Sequence, residues 1–189
     1  MPAMKMAGNI FLVGMMGAGK TTVGRLLAKK LHLEFIDSDH EIEHRTGVRI
    51  PVIFEIEGEA GFREREHETI VDLVKRPNIV LATGGGAVLR EDNRTALRAH
   101  GTVIYLCASI DAILERTKHD KSRPLLQTEN PRAKLMALLE QRDALYRDVA
   151  DIVIDTAHQN VHSLTALVER KICSLKEANT HAGNANPSA

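Results

Sequence analysis

The run Gly14-Met15-Met16-Gly17-Ala18-Gly19-Lys20-Thr21 has the residue types and the spacing to hold phosphate. It matches the pattern G-x-x-x-x-G-K-[ST] and lies where that pattern works, between an apolar stretch that reads as a strand and a segment that reads as a helix. The glycines let the backbone close around oxygen atoms with successive N–H groups pointing inward, and a helix starting near Lys20 adds the positive end of its dipole. In such a loop Lys20 bridges the β- and γ-phosphates of a nucleotide, and the Thr21 hydroxyl ligates Mg²⁺. A glycine turn followed by Lys-Thr through coincidence leaves the flanking strand and helix unexplained.

Phosphate binding does not name a reaction. The guanine-nucleotide signatures D-x-x-G and N-K-x-D are absent, and the apolar run Ile79 to Ala82 ends in Thr83 and glycines instead of a metal-supporting Asp. A carboxylate must therefore come from elsewhere. Asp37-Ser38-Asp39 follows a strand-like run and offers two. One can hold a Mg²⁺-bound water while the other accepts or orients a hydroxyl proton, and alternate positions of an extended segment point the same way. The same triplet is also a common helix N-cap. Arg63 has Glu66 three residues on, an arrangement that can fix the guanidinium for bidentate recognition of a carboxylate, although a charge run of this kind also reads as a solvated helix face. Gly84-Gly85-Gly86 costs chain entropy that an ordinary turn does not require, which points to close backbone approach to a ligand.

Arg123 lies in a polar segment, 118–131, that contains Pro124 and Pro131 and reads as a lid. There it can close over phosphates and neutralise charge that builds during transfer, with Arg116 on the helix before it; loop solubility is the plain alternative. Arg142 alone reads as a surface arginine. The histidines show no convincing metal-ligand spacing and receive no role.

These residues must be positioned by a regular scaffold. Asn9 to Val13, Glu34 to Ile36, Ile79 to Ala82, Thr102 to Cys107 and Ile152 to Ile154 read as strands. Helical patterns cover Lys20 to Leu31, Glu59 to Val74, Arg90 to Ala99, Ile110 to Thr117, Arg132 to Arg147 and Val161 to Leu175. Alternation of this kind predicts an α/β three-layer sandwich with a five-stranded parallel sheet, in which ligands bind beyond the carboxyl ends of the strands. Residues 1–176 form a single expected domain, and the polar composition of 177–189 predicts a disordered tail.

Composition narrows the function by exclusion. Among 189 residues, 25 Lys and Arg balance 25 Asp and Glu, which argues against a globally basic nucleic-acid or membrane-surface binder. No apolar run approaches the ~18 residues needed to cross a bilayer, and the run near Ile10 is broken by glycines and feeds a helix instead of a cleavage site. Cys107 and Cys173 cannot build a disulfide framework or a zinc site, so free thiols in a reducing cytosol are the simplest reading. Aromatic residues are only 3%, so the core must rest on Leu, Ile, Val, Ala and Met.

Six ordered motifs between about Asn9 and Gln159 together resemble the shikimate kinase family. They are Gly14 to Gly24, Phe35-Ile36-Asp37-Ser38-Asp39, Ile53-Phe54-Glu55 with Gly58 to Glu66, Ala82 to Val88, Arg123-Pro124-Leu125-Leu126 and Arg142-Asp143-Ala144-Leu145-Tyr146. The resemblance implies a nucleoside monophosphate kinase-like fold with a core sheet, a helical substrate-binding region and a lid. It implies transfer of the ATP γ-phosphoryl group to the 3-hydroxyl of shikimate, on the route to chorismate and aromatic amino acids. Carried over by motif, Gly17, Ala18, Gly19, Lys20, Thr21 and Thr22 bind ATP phosphates, Thr21 ligates Mg²⁺, and Asp37 holds it through water. Asp39 meets the shikimate hydroxyls as base. Arg63, Gly85 and Arg142 bind shikimate, the arginines through its carboxylate, and Gly84 and Gly86 join them through the triplet's close approach to ligand. Arg123 binds ATP from the lid, while Arg116 and Gln159 fall near the adenine side by spacing. Gln141 stands where many members carry Glu. A cytoplasmic monomer is implied, without nucleic-acid or membrane partners.

Two other readings stay open on the residues alone. Another small-metabolite or nucleoside monophosphate kinase fits the phosphate loop, although the D-G-F-P segment usual in adenylate-kinase-like chains is absent. A noncatalytic binder of the same fold has no need for Lys20, Asp39 and Arg123 together. The zero net charge conceals a cationic site: Lys20, Arg63, Arg116, Arg123 and Arg142 face only Asp37 and Asp39, a balance suited to MgATP and an acidic substrate.

Overall fold

The computed structural model describes residues 8–118, 128–157 and 159–183. Five short apolar runs form the sheet: β1 (Asn9–Val13), β2 (Glu34–Asp37), β3 (Ile79–Ala82), β4 (Gly101–Cys107) and β5 (Ile152–Asp155). All pairings are parallel, in the order β2-β3-β1-β4-β5. The strands buried most deeply are those that read as continuous apolar runs: every residue of β1 and β3 is buried, whereas edge strand β5 alternates, with Ile152 and Ile154 in and Val153 out.

Helices α1 (Lys20–Leu31), α2 (Ser38–Thr46), α3 (Ile50–Leu73), α4 (Glu91–His100), α5 (Ile110–Thr117), α6 (Pro131–Val149) and α7 (Val161–Gly183) connect or follow the strands. α1 packs on α7, while α4 packs on both α3 and α6. The core is mostly aliphatic, centred on residues such as Leu12, Val23, Leu81, Ile104 and Ile113, with Phe11, Tyr105 and Tyr146 among them. Because β1 has β3 on one side and β4 on the other, its carboxyl end is the point where the chain's strand order diverges, and there a crevice opens. The phosphate-type loop leaves β1 at this point.

α2 was not foreseen from the sequence. Its residues Ser38 to Thr46 bury only Ser38 and Ile42, too little to leave a helical period in a polar segment. α3 begins at Ile50, ahead of the expected Glu59, and is interrupted at Gly58 (φ 68°, ψ −175°); the expected helix is the half after this kink. The arm formed by α2 and the first half of α3 has a small core of its own, Ile42, Ile53 and Phe62, with Ile50 and Phe54 against it.

Of the tail expected over 177–189, residues 177–183 continue α7 instead, and 184–189 lie outside the described residues. Leu164, Val168 and Ile172 anchor this helix in the core. Extending a formed helix costs far less than nucleating one, so polar residues through Thr180, whose hydroxyl donates to the Lys176 carbonyl, simply prolong it. Among the described residues no helix is long and apolar enough to cross a membrane.

Candidate active site

The loop after β1 is shaped by glycine where the backbone turns left-handed. Gly17 has φ 73°, and Gly19, at φ 100°, occupies the N-cap of α1. Lys20 is 8% exposed, and its Nζ donates to the carbonyls of Gly14 and Met15 at 2.8 Å each, so the ammonium is held inside the loop. Ala18 is fully buried and its amide closes the turn on the Met15 carbonyl. Arg116, at the end of α5, donates to the Gly17 carbonyl at 3.1 Å, which brings this spacing-based candidate onto the loop.

Asp37 caps α2, as the N-cap reading expects, and also reaches the phosphate-type loop. Asp37 Oδ1 caps α2 by accepting from the amides of Asp39 and His40, while its Oδ2 accepts from the Thr21 hydroxyl at 2.8 Å. Asp39 does not extend the strand. It lies in the first turn of α2, which turns its carboxylate inward under Gly84. Burial, then the charges of Asp37 and Glu66, push its pKa up to about 6, against the pull of Lys20 and Arg63.

The second wall is built by a charged layer packed on the glycine triplet. A Cβ on Gly84 would meet Asp39 Oδ1 at 2.7 Å and Glu66 Oε1 at 2.9 Å. On Gly86 it would meet Arg63 Nη2 at 2.3 Å, and on Gly85 it would sit 3.5 Å from Arg142 Nη1. The close approach inferred from the triplet is therefore made by the protein's own ionised side chains. Arg63 donates to Glu66 at 2.7 Å, as the i, i+3 spacing suggests, but the pair is no solvated face: the Glu66 side chain is 1% exposed, and burial raises its pKa. Arg142, which alone reads as a surface residue, is 3% exposed. Asp39 Oδ1 and Glu66 Oε1, both acceptors, and the Nε donors of Arg63 and Arg142 are buried without protein partners.

Loop and wall face one cleft of about 750 Å³. Gly17, Gly19, Lys20, Thr21, Thr22, Asp37, Asp39, Arg63, Gly84, Gly85, Gly86, Arg116 and Arg142 line it. One end thus suits phosphate, and the other suits a small ligand bearing hydroxyls and a carboxylate.

The family model described as Shikimate kinase matches residues 16–173, a span holding most of the cleft and the core. The chain belongs to the shikimate kinase family. A shikimate kinase of Chromobacterium violaceum is 61% identical over 182 residues, covering 96% of this chain and 97% of its own. A shikimate kinase of Thiobacillus denitrificans is 60% identical over 168 residues, covering 89% and 92%. Among solved structures, the shikimate kinase of Acinetobacter baumannii in complex with shikimate is similar with TM-score 0.89 and 52% identity, covering 92% of this chain and 97% of that one. A gluconokinase structure from Sinorhizobium meliloti, at 20% identity and TM-score 0.58, shares the fold.

Not every residue the shikimate kinase resemblance suggested gathers in the cleft. Gln159 lies in the connection between β5 and α7, apart from the cleft lining. Arg123 and most of the expected lid, 119–127, lie outside the described residues. Conversely, sequence reasoning assigned no role to Ser38, whose Oγ accepts from the Gly84 amide at 3.0 Å and so ties the end of β2 to the triplet. It also passed over Glu43. That carboxylate accepts from the Ile50 amide and Arg49 Nε, both at 3.0 Å, supplying the cap that α3 lacks from its own N-cap residue. Ile50, Phe54 and Phe62 complete the apolar side of the cleft. Phe54 and Phe62 stand in the third of the resembling motifs, whereas Ile50 stands in none of them.

Proposed function

We propose that this chain transfers the γ-phosphoryl group of ATP to the 3-hydroxyl of shikimate, giving ADP and shikimate 3-phosphate for aromatic amino acid biosynthesis. The observation that carries the reading is the position of Asp39, a buried carboxylate electrostatically coupled to Lys20 of the phosphate loop and to Arg63 of the acid-binding wall. A base between donor and acceptor subsites is what transfer to an alcohol requires.

In this mechanism loop amides and Lys20 grip the ATP phosphates, with Arg116 and Thr22 at the loop's mouth. Arg63 and Arg142 hold the shikimate carboxylate, and Asp39 takes hydrogen bonds from its hydroxyls. That grip sets the 3-hydroxyl in line with the γ-phosphorus, and Asp39 receives its proton as the new P–O bond forms. Arg123, by its motif, adds positive charge from the lid, and Gln159 belongs to the adenine side. Thr21 and Asp37 fit Mg²⁺: they present hard oxygen atoms 2.8 Å apart, and no cluster of three or more His, Cys, Asp or Glu among the described residues forms a self-sufficient metal cage. When bound there, Mg²⁺ supplies charge neutralisation on the phosphates. All these groups come from one chain, so a monomer suffices, and two free thiols suit the cytoplasm.

A coupled ADP-release assay with shikimate, gluconate and nucleoside monophosphates tests the assignment. Shikimate-dependent turnover is expected, with little from the others; preferential turnover of gluconate or a nucleotide would overturn it. Gly86→Ala provides a local check. The new methyl must push the Arg63 guanidinium off the wall, so the fold survives while KM for shikimate rises roughly 10- to 100-fold, the range for losing a charged hydrogen bond. An unchanged KM would remove Arg63 from the acid-binding site.

A further inference from the structure

The chain has only two tyrosines, and the structure stacks them on each other behind the acid-binding wall. Tyr146 lies one turn after Arg142 on α6 and is completely buried. Its hydroxyl donates to the Gly85 carbonyl at 2.5 Å, a contact between residues 61 positions apart. Arg142 stands against the same residue, its Nη1 lying 3.5 Å from where a Cβ on Gly85 would be. The hydroxyl therefore ties the glycine triplet after β3 to α6, the helix that carries Arg142.

The ring that carries this hydroxyl is immobilised. Tyr105 stacks on it with ring centroids 4.9 Å apart and an interplanar angle of 29°. Tyr105 in turn donates to Asp143 Oδ1 at 2.8 Å, and Asp143 accepts from Arg147 Nε at 2.7 Å. Packing alone would be served by phenylalanine at 146, so the hydroxyl needs another reason. We infer that Tyr146 is a positioning residue for the acid substrate, its hydroxyl setting the Arg142 guanidinium and the Gly85 backbone in mutual register. Burial raises the phenol pKa to about 12, so the group remains a donor throughout the working pH range.

The inference rests on the reading of Arg142 and Gly85 as shikimate-binding. Shikimate-dependent turnover of the unaltered protein, measured alongside, tests that reading separately. Tyr146→Phe keeps the ring and its stacking. It should raise KM for shikimate roughly 5- to 10-fold, with kcat and KM for ATP within about twofold, as loss of one buried hydrogen bond acting through binding predicts. In an Arg142→Lys background the same change should multiply KM by clearly less, because the two side chains act as a unit. A lowered unfolding midpoint with unchanged shikimate KM, or fully multiplicative effects, would overturn the inference.

A second measurement needs no variant at position 146. With both tyrosines replaced biosynthetically by 3-fluorotyrosine, the protein gives two ¹⁹F resonances, assigned by the spectrum of Tyr105→Phe. Saturating shikimate should move the Tyr146 resonance more than that of Tyr105. A Tyr146 resonance indifferent to shikimate, in protein that turns shikimate over, would overturn the inference.

Discussion

Asp39→Asn is expected to raise the unfolding midpoint of the ligand-free protein at pH 7.5 while turnover collapses. The two effects share one cause. In the folded chain the Asp39 carboxylate sits in a buried layer beside Asp37 and Glu66, and its pKa rises from 3.8 to about 6. Lys20 and Arg63 only partly offset that. A carboxylate raised in this way binds its proton more tightly in the folded state than in the unfolded chain. Its ionised form therefore opposes folding: the cost is absent well below pH 3.8, grows as pH rises through that value, and is complete above about pH 6. A shift of this size corresponds to ~3 kcal/mol. Asparagine carries no charge at any pH, so part of that cost disappears.

For a chain of this length the gain should appear as a rise of about 3 °C or more, reduced by whatever the buried amide itself fails to bond. Scanning calorimetry at pH 7.5 and at pH 4.5 checks the sign, since the advantage of the variant must shrink toward the acid. A variant less stable than wild type at pH 7.5 would mean that Asp39 is held by attraction and not against repulsion. Transfer should fall by ~10²- to 10⁴-fold, the usual contribution of a positioned base, with ATP binding largely retained. A loss of ATP affinity with transfer intact would move Asp39 to the nucleotide side. Such a residue trades stability of the empty protein for chemistry in the filled one.

The middle of the sheet was legible in the sequence because its strands are buried on both faces. β3 is an uninterrupted apolar run and β1 is one after Asn9, and their bounds agree with the expected ones to the residue. α2 was not legible, since a helix that buries little beyond Ile42 has no apolar stripe to display. The site divides along the same line. A local pattern carries the phosphate loop, because its function resides in consecutive backbone amides. The charged wall depends on burial that residue types do not announce: Arg63 and Glu66 look the same in sequence whether they face water or, as here, pack on Gly86 and Gly84. Ser38, bonded to Gly84, and Tyr146, bonded to Gly85, act across long sequence separations through backbone groups, which have no identity to read. The motif resemblance names Arg142 and Tyr146 together, but only their common partner in space, Gly85, explains why they stand one turn apart.

Lys20→Ala should produce a large loss of transfer, at least ~10²-fold, with the fold intact. Within the loop the ammonium is gathered between the Gly14 and Met15 carbonyls. A cation held 8% exposed at the mouth of the cleft does not have to be recruited from solvent when the γ-phosphoryl group gains charge separation, and preorganisation of this kind is what makes a single donor worth several kcal/mol. Backbone amides of Gly17, Gly19 and their neighbours remain in the variant, so KM for ATP should change much less than kcat. The same substitution removes a charge that holds the Asp39 pKa down, leaving burial, Asp37 and Glu66 to push it further up. The acid limb of the residual activity should accordingly move to higher pH than in wild type. Steady-state kinetics across pH 5.5 to 8.5 read both effects. Wild-type-like kcat in folded Lys20→Ala protein would overturn the role of Lys20 in transfer. An unmoved acid limb beside a large loss of kcat would separate the lysine's action on phosphate from its influence on the base, and the two subsites would then be electrostatically independent.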